Sequence, residues 1–132
     1  MTAKEQMEET GAQAADEKTQ IILEAIREKK GHDIVRIDLR EVEHAICDQF
    51  VICHGESVTQ VSAIADAIER KLKTEAHIRP HHVEGQQNCQ WVLLDYFDVL
   101  VHVFLADHRS FYKLEDLWAD GKRVHEVENV KK

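Results

Sequence analysis

The chain predicts an α/β domain in which helices pack on a mixed β-sheet, and three stretches carry that prediction. From Trp91 to Trp118 the sequence WVLLDYFDVLVHVFLADHRSFYKLEDLW alternates as two strands of a hairpin and then changes to helical spacing. IVRIDLR (34–40) alternates as a half-buried strand, and QFVICHG (49–55) is a nearly continuous apolar run of the kind buried on both faces. Between these strands and the hairpin lies one long amphipathic stretch, so a strand–helix–strand unit should cross over right-handedly into parallel pairing. One hairpin added to that unit gives a mixed sheet with helices on one or both faces.

Residues 1–16 are polar and Glu-rich without apolar periodicity and read as a flexible or loosely helical acidic tail. A helix begins near Asp16, with Ile21, Ile22, Ala25 and Ile26 on one stripe and Gly31 as its stop. The second helix opens at Gly55 and Ser57 and carries Val58, Val61, Ile64, Ala65, Ile68 and Leu72 on one face. Its start is fixed by Ser57 and Gln60 at capping-box spacing. Pro80, the only proline, ends the connection that follows. In the hairpin, Val92, Leu94 and Tyr96 share one face and Trp91, Leu93 and Asp95 the other. On its second strand Val99, Val101 and Val103 lie opposite Leu100, His102 and Phe104. Asp98 marks the turn. Asp107 caps a final helix in which Phe111, Leu114, Leu117 and Trp118 recur. The expected domain spans 17–120, and 121–132 reads as a polar tail.

Composition narrows the function. Lys and Arg number 17 against 25 Asp and Glu, a net charge of −8, so phosphate is repelled and sequence-independent nucleic-acid binding is disfavoured. A basic protein partner suits that surface. The three cysteines, Cys47, Cys53 and Cys89, form no C-x-x-C pair and fit buried thiols in a reducing compartment. No run of eighteen apolar residues spans a membrane, and the acidic N-terminus lacks the apolar core of a secretory signal. The expected location is the cytoplasm.

Catalytic constellations are sparse. Strand–Gly-x-Ser–helix, Ile52 to Val58, resembles the anion-binding turn of nucleotidyltransferases. Such an enzyme also needs paired carboxylates for Mg²⁺, and Asp95 and Asp98 supply no second acid on the following strand. Ser57 as a helix cap is the simpler reading. His77 and His81 stand at helical spacing, but Pro80 lies between them and no zinc-like set surrounds them. Cys53 sits in a buried strand, where a thiol is inert, and no G-x-S-x-G elbow occurs. His102 interrupts an apolar strand, and it reads equally as a satisfied core histidine and as an interface donor. Arg109, Tyr112, Glu115 and Trp118 share a stripe of the last helix. Core packing suits Trp118, and docking suits Arg109 and Tyr112, of residue types that dominate binding hot spots.

These pieces together resemble the ribosomal silencing factor, or Iojap-like, family. Four features carry the match: DQFVIC with Gly55 and Ser57; Val83-Glu84-Gly85; Trp91 to Asp95 with Asp98 and His102-Val103-Phe104; and Arg109, Tyr112, Leu114-Glu115 and Leu117-Trp118. The resemblance covers roughly residues 18–119. It implies a nucleotidyltransferase-like fold with no transferase activity and no cofactor. It also implies docking on the large ribosomal subunit through a basic ribosomal protein, the fourteenth of its universal set, on the face that meets the small subunit. Subunit joining would be blocked sterically, repressing translation when nutrients are scarce, and a homodimer is expected. The contact residues it implies are Trp91, Leu93, Asp95, His102, Arg109 and Tyr112, supported by Glu84 and Glu115. The chain departs from the family at Phe97, where a glycine is usual, and at His54 and Glu56. A bulky residue at a left-handed turn position demands either a different turn or packing of the ring. The competing class is a nucleotide-binding or nucleotidyltransferase enzyme using the Gly55–Ser57 turn, which would be stabilised by nucleotide and Mg²⁺.

Overall fold

A computed structural model describes residues 3–108 and 121–126, with residues 3–14 described by backbone alone. Helix α1 (Ala3–Glu28) leads into strand β1 (His32–Asp38), and β2 (Gln49–Gly55) leads into helix α2 (Val58–Ala76). Strands β3 (His82–Glu84), β4 (Trp91–Asp95) and β5 (Val99–Leu105) follow. After a 3-10 turn at Ala106–His108, β6 (Lys122–His125) returns to the sheet. The six strands lie in the order β3-β4-β5-β2-β1-β6. All pairs are antiparallel except β2 with β5, which runs parallel from Gln49↔Val99 to Gly55↔Leu105.

The mixed sheet is as expected, but the parallel partner of β2 is the second strand of the hairpin, not the first. Burial explains this. β5 is apolar on both faces and takes an interior place, whereas β4 has a half-wet face and is displaced outward. Both helices pack on one face. There Ile22, Leu23 and Ile26 of α1 and Val61, Ile64, Ile68 and Leu72 of α2 meet Val51, Cys53, Val92, Leu94 and the Val99, Val101, Val103 row. Val58 departs from the expected stripe. As the first residue of α2 it lies ahead of the buried row and is 48% exposed.

One buried polar link sets the rotation of α1 over the sheet. Gln49, fully buried at the start of β2, accepts a hydrogen bond from Thr19 Oγ1 at 2.6 Å and donates Nε2 to Asp16 Oδ1 at 2.8 Å. Sliding α1 would strand a buried amide, at a cost of about 1–3 kcal/mol. The expected α1 start near Asp16 is too late. The preceding Glu, Gln, Met, Ala and Lys residues favour helix whether or not they form an apolar stripe, and the helix runs back to Ala3. Its stop also shifts by one residue. Lys30 takes the left-handed conformation (φ 60°), while Gly31 N–H reaches back to Ile26 O at 2.9 Å. A Cβ on Gly31 would stand 2.4 Å from Ile26 Cγ2, so the glycine serves close approach.

Ser57 caps α2 as its spacing with Gln60 predicts, with the Gln60 side chain reaching back to the residue before the cap. Ser57 Oγ accepts from Gln60 N–H at 3.1 Å, and Gln60 Oε1 accepts from Glu56 N–H at 2.7 Å. Gln60 Nε2 then donates to Lys29 O and Lys30 O, both at 3.0 Å, joining the start of α2 to the end of α1. At its other end α2 stops at Ala76 with His77 left-handed, so His77 and His81 share no helix.

Two strands were not expected. β3 is three residues long, and β6 lies within the stretch read as a polar tail. β6 pairs along β1 from Val35↔His125 to Asp38↔Lys122, and Glu126 beyond it bridges Arg36 at 3.2 Å and Arg27 at 3.5 Å. The expected final helix beyond Asp107 lies outside the described residues, apart from the turn at Ala106–His108.

The β4–β5 turn resolves the Phe97 question. Phe97 keeps a positive φ of 70°, its N–H bonds to Asp95 Oδ1 at 2.8 Å, and its ring lies 4.1 Å from that of His81. Packing, not a different turn, accommodates it. A left-handed residue with a Cβ carries about 1–2 kcal/mol of strain, and an exposed ring contact offsets only part of it. Phe97→Gly is therefore expected to raise stability by about 0.5–1 kcal/mol, measured by urea denaturation. A loss of stability would show that the His81 contact outweighs the strain.

Candidate functional site

Strand register builds the site. Glu84 pairs with Leu93, Leu93 with His102 and His102 with Ile52, so these side chains form one row on the face opposite the helices. Beside it run Trp91, Phe104 and His54, and on the other flank His82, Asp95, Leu100 and Phe50. The face is graded. Val35, Ile37, Phe50, Ile52 and Phe104 are buried, Leu93 and Asp95 are half-buried, and Glu84 and Trp91 are exposed.

Trp91 is the most prominent side chain here, 47% exposed yet fixed on two sides. Its indole stacks on Phe104, with ring centroids 5.1 Å apart, and its Nε1–H donates to His102 Nδ1 at 3.1 Å. His102 is only 5% exposed, and Phe50 meets it edge-on at 4.9 Å. Burial lowers the His102 pKa to about 4. Of the two readings of His102, this burial matches the core histidine. The imidazole faces inward, and Nδ1 acts as an acceptor.

At the Gly55–Ser57 turn part of the N–H array is already engaged within the chain. The N–H groups of Glu56, Gln60 and Val61 already bond to Gln60 Oε1, Ser57 Oγ and Ser57 O. Asp95 and Asp98 lie at the other end of the sheet. Asp98 O accepts from Gln49 N–H at the start of β2, whereas Gly55 ends that strand, about 20 Å away at a strand's rise per residue. Asp95 caps Phe97, and Asp98 Oδ1 pairs with Lys18 at 2.8 Å. The departures at His54 and Glu56 belong to a small surface cluster. His54 Nε2 and His32 Nε2 each stand 3.7 Å from Glu56 Oε1, and the two rings are 5.4 Å apart across β1 and β2. Among the described residues no group of three His, Cys, Asp or Glu is disposed to hold a metal. All three thiols are buried, and desolvation pushes Cys47 up to about 12, far from a reactive thiolate.

Comparison with known proteins decides the family. The model of the family described as "Ribosomal silencing factor during starvation" matches residues 12–132. The chain belongs to the ribosomal silencing factor family. A relative named ribosomal silencing factor, from Halalkalibacterium halodurans, is 40% identical over 111 residues, covering 84% of this chain and 92% of the relative. A more distant relative from Mus musculus, named mitochondrial assembly of ribosomal large subunit protein 1, is 24% identical over 103 residues, covering 74% of this chain and 43% of that protein. A crystal structure from Bacillus halodurans superposes with a TM-score of 0.72 at 37% identity, covering 84% of this chain and 99% of that one.

Within this ribosomal silencing factor homologue, Trp91, Leu93, Asp95 and His102 come together on one sheet face, and the pairing of β3 with β4 adds Glu84 to it. Arg109, Tyr112 and Glu115 lie outside the described residues. Sequence reasoning missed His82, whose Nε2 lies 2.8 Å from Glu84 Oε1, because β3 is too short to show a period. It also missed the support that Phe50 gives His102, which depends on the parallel register of β2 and β5.

Proposed function

We propose that this chain represses translation by docking the face around Trp91 on the large ribosomal subunit, where it stands in the way of the small subunit. The partner is a basic ribosomal protein, and the mechanism is steric, without cofactor or chemistry. One observation carries the reading: a half-exposed indole, pinned by Phe104 and His102, on a sheet face that also presents the carboxylates of Glu84 and, farther along β4, Asp95. A rigid aromatic anchor with an acidic rim is the arrangement that binds a basic partner tightly. The net charge of −8 adds steering toward such a partner. The name of the mouse relative, which refers to large-subunit assembly, points to the same half of the ribosome.

Sedimentation with separated large subunits tests this. Wild type is expected to co-migrate with large subunits and, in excess, to prevent their joining to small subunits. Trp91→Ala should lose about tenfold or more in affinity while remaining folded, with some fall in thermal melt because the indole covers Phe104. Failure of wild type to co-migrate would overturn the reading. Thermal stabilisation by CTP or ATP with Mg²⁺ would instead favour nucleotide binding at Gly55–Ser57.

A further inference from the structure

We propose that His102 is a positioning residue for docking, holding the Trp91 indole in its binding orientation through Nδ1 without touching the partner; this rests on the docking role of the Trp91 face. The chemistry of the imidazole is otherwise hard to account for. To accept from Trp91 Nε1–H, Nδ1 must be unprotonated, which puts the proton on Nε2. Nε2 is buried and, among the described residues, has no hydrogen-bond partner. A phenylalanine would fill the same volume between Phe50 and Ile52 without leaving a polar atom unmatched. What the imidazole supplies in exchange is one acceptor, aimed at the indole.

That acceptor is not needed to satisfy Trp91. With the residue 47% exposed, the indole can turn to give its N–H to water if that acceptor is lost. The bond therefore contributes orientation more than stability. Phe104 stacks under the indole but leaves it free to slide in plane, and the hydrogen bond to His102 fixes the remaining direction. The His102 ring is itself held by Phe50 edge-on and by the cross-strand pairing of His102 with Leu93 and Ile52. An anchor ordered before contact avoids the entropy cost of ordering it on binding, worth about 3- to 10-fold in affinity.

Three substitutions separate positioning from packing. In His102→Asn the amide oxygen stands about where Nδ1 stood and keeps the acceptor. His102→Gln carries its amide to the position of Nε2, and His102→Phe keeps the ring without any acceptor. Affinity for large subunits is measured by sedimentation, folding by thermal melt, and the indole by its ¹H–¹⁵N signal, with Trp91→Phe distinguishing Trp91 from Trp118. Asn is expected to bind within about threefold of wild type, while Phe and Gln lose about tenfold. The Trp91 signal should shift in Phe and Gln but not in Asn, and Phe should melt at or above wild type. Unchanged binding or an unchanged indole signal in Phe would overturn the proposal. So would losses that track the melting temperature across all three variants. If wild type itself fails to bind large subunits, the docking reading falls and the binding role with it. The indole signals would then still decide whether His102 orients Trp91.

Discussion

Gly85→Ala is expected to destabilise the protein by about 3 kcal/mol and to disorganise the Trp91 face. Gly85 adopts a φ of 86°, a conformation that costs a residue with a Cβ about 1–2 kcal/mol by itself. The larger difficulty is contact. A Cβ built there lies 1.9 Å from Trp91 O and 2.9 Å from Trp91 C. Those are backbone atoms of β4, so no rotamer change relieves the clash and one strand must move. β3 is a three-residue edge strand, paired only from His82↔Asp95 to Glu84↔Leu93, and it is the cheaper of the two to displace. Peeling β3 away caps the global cost, because the rest of the sheet can survive without it. Urea denaturation should therefore show a moderate loss, and hydrogen exchange should show a local one, with protection lost in 82–84 and along β4. The Trp91 indole signal should broaden or shift as its backbone moves. Full stability with an unchanged indole would mean that the β3–β4 connection absorbs a Cβ, contrary to this geometry.

The same contact explains why Val83-Glu84-Gly85 belongs with the hairpin in one recognisable pattern. Glu84 sits on the docking face opposite Leu93, and Gly85 lets the chain pass against the carbonyl of Trp91. The connection is then closed by Cys89 N–H bonding to Gly85 O at 3.0 Å. A site residue and the backbone freedom that places it are thus adjacent in sequence.

Period-two alternation made the two faces of β4 and β5 readable, because each side chain's face depends only on its own strand. The row Trp91, Leu93, Asp95 against His102 and Phe104 needed nothing more. What alternation cannot give is which strands are neighbours. The pairing of β2 with β5, and so the placing of Phe50 beside His102, follows from competition between β4 and β5 for the interior position. That competition is decided by burial over the whole sheet. Short strands fail for another reason: HVE and KRVH are too short to show a period, and their structure comes from the edges they join. His102 shows a third limit. Its position was readable, but the direction of its hydrogen bond, which turns a candidate contact into an internal support, depends on the cross-strand distance to Trp91 Nε1.

Wild type should lose about 3 kcal/mol more stability than His102→Phe on going from pH 7 to pH 4. Burial lowers the pKa of His102 to about 4, whereas in the unfolded chain it titrates near the ordinary histidine value of about 6.5. Between those values the unfolded state binds a proton that the folded state refuses, so stability rises with pH across that window. The contribution is complete above about pH 6.5 and is gone at about pH 4. Two carboxyls work in the opposite sense. Burial raises Asp48, helped by Asp98, and raises Glu69, helped by Asp66, so both take up protons more readily in the folded state and favour folding as the pH falls. Because both proteins carry these groups and the other eight of the nine histidines, the difference between their profiles isolates His102. Urea midpoints at pH 7, 5.5 and 4 suffice to measure it. Parallel profiles would mean that His102 is charged at little cost, and its inward-facing, neutral geometry would then be wrong. A diverging profile would also bound the docking behaviour. The Nδ1 lone pair that orients Trp91 persists in the folded protein down to about pH 4, so affinity at pH 5.5 should not fall through loss of this bond.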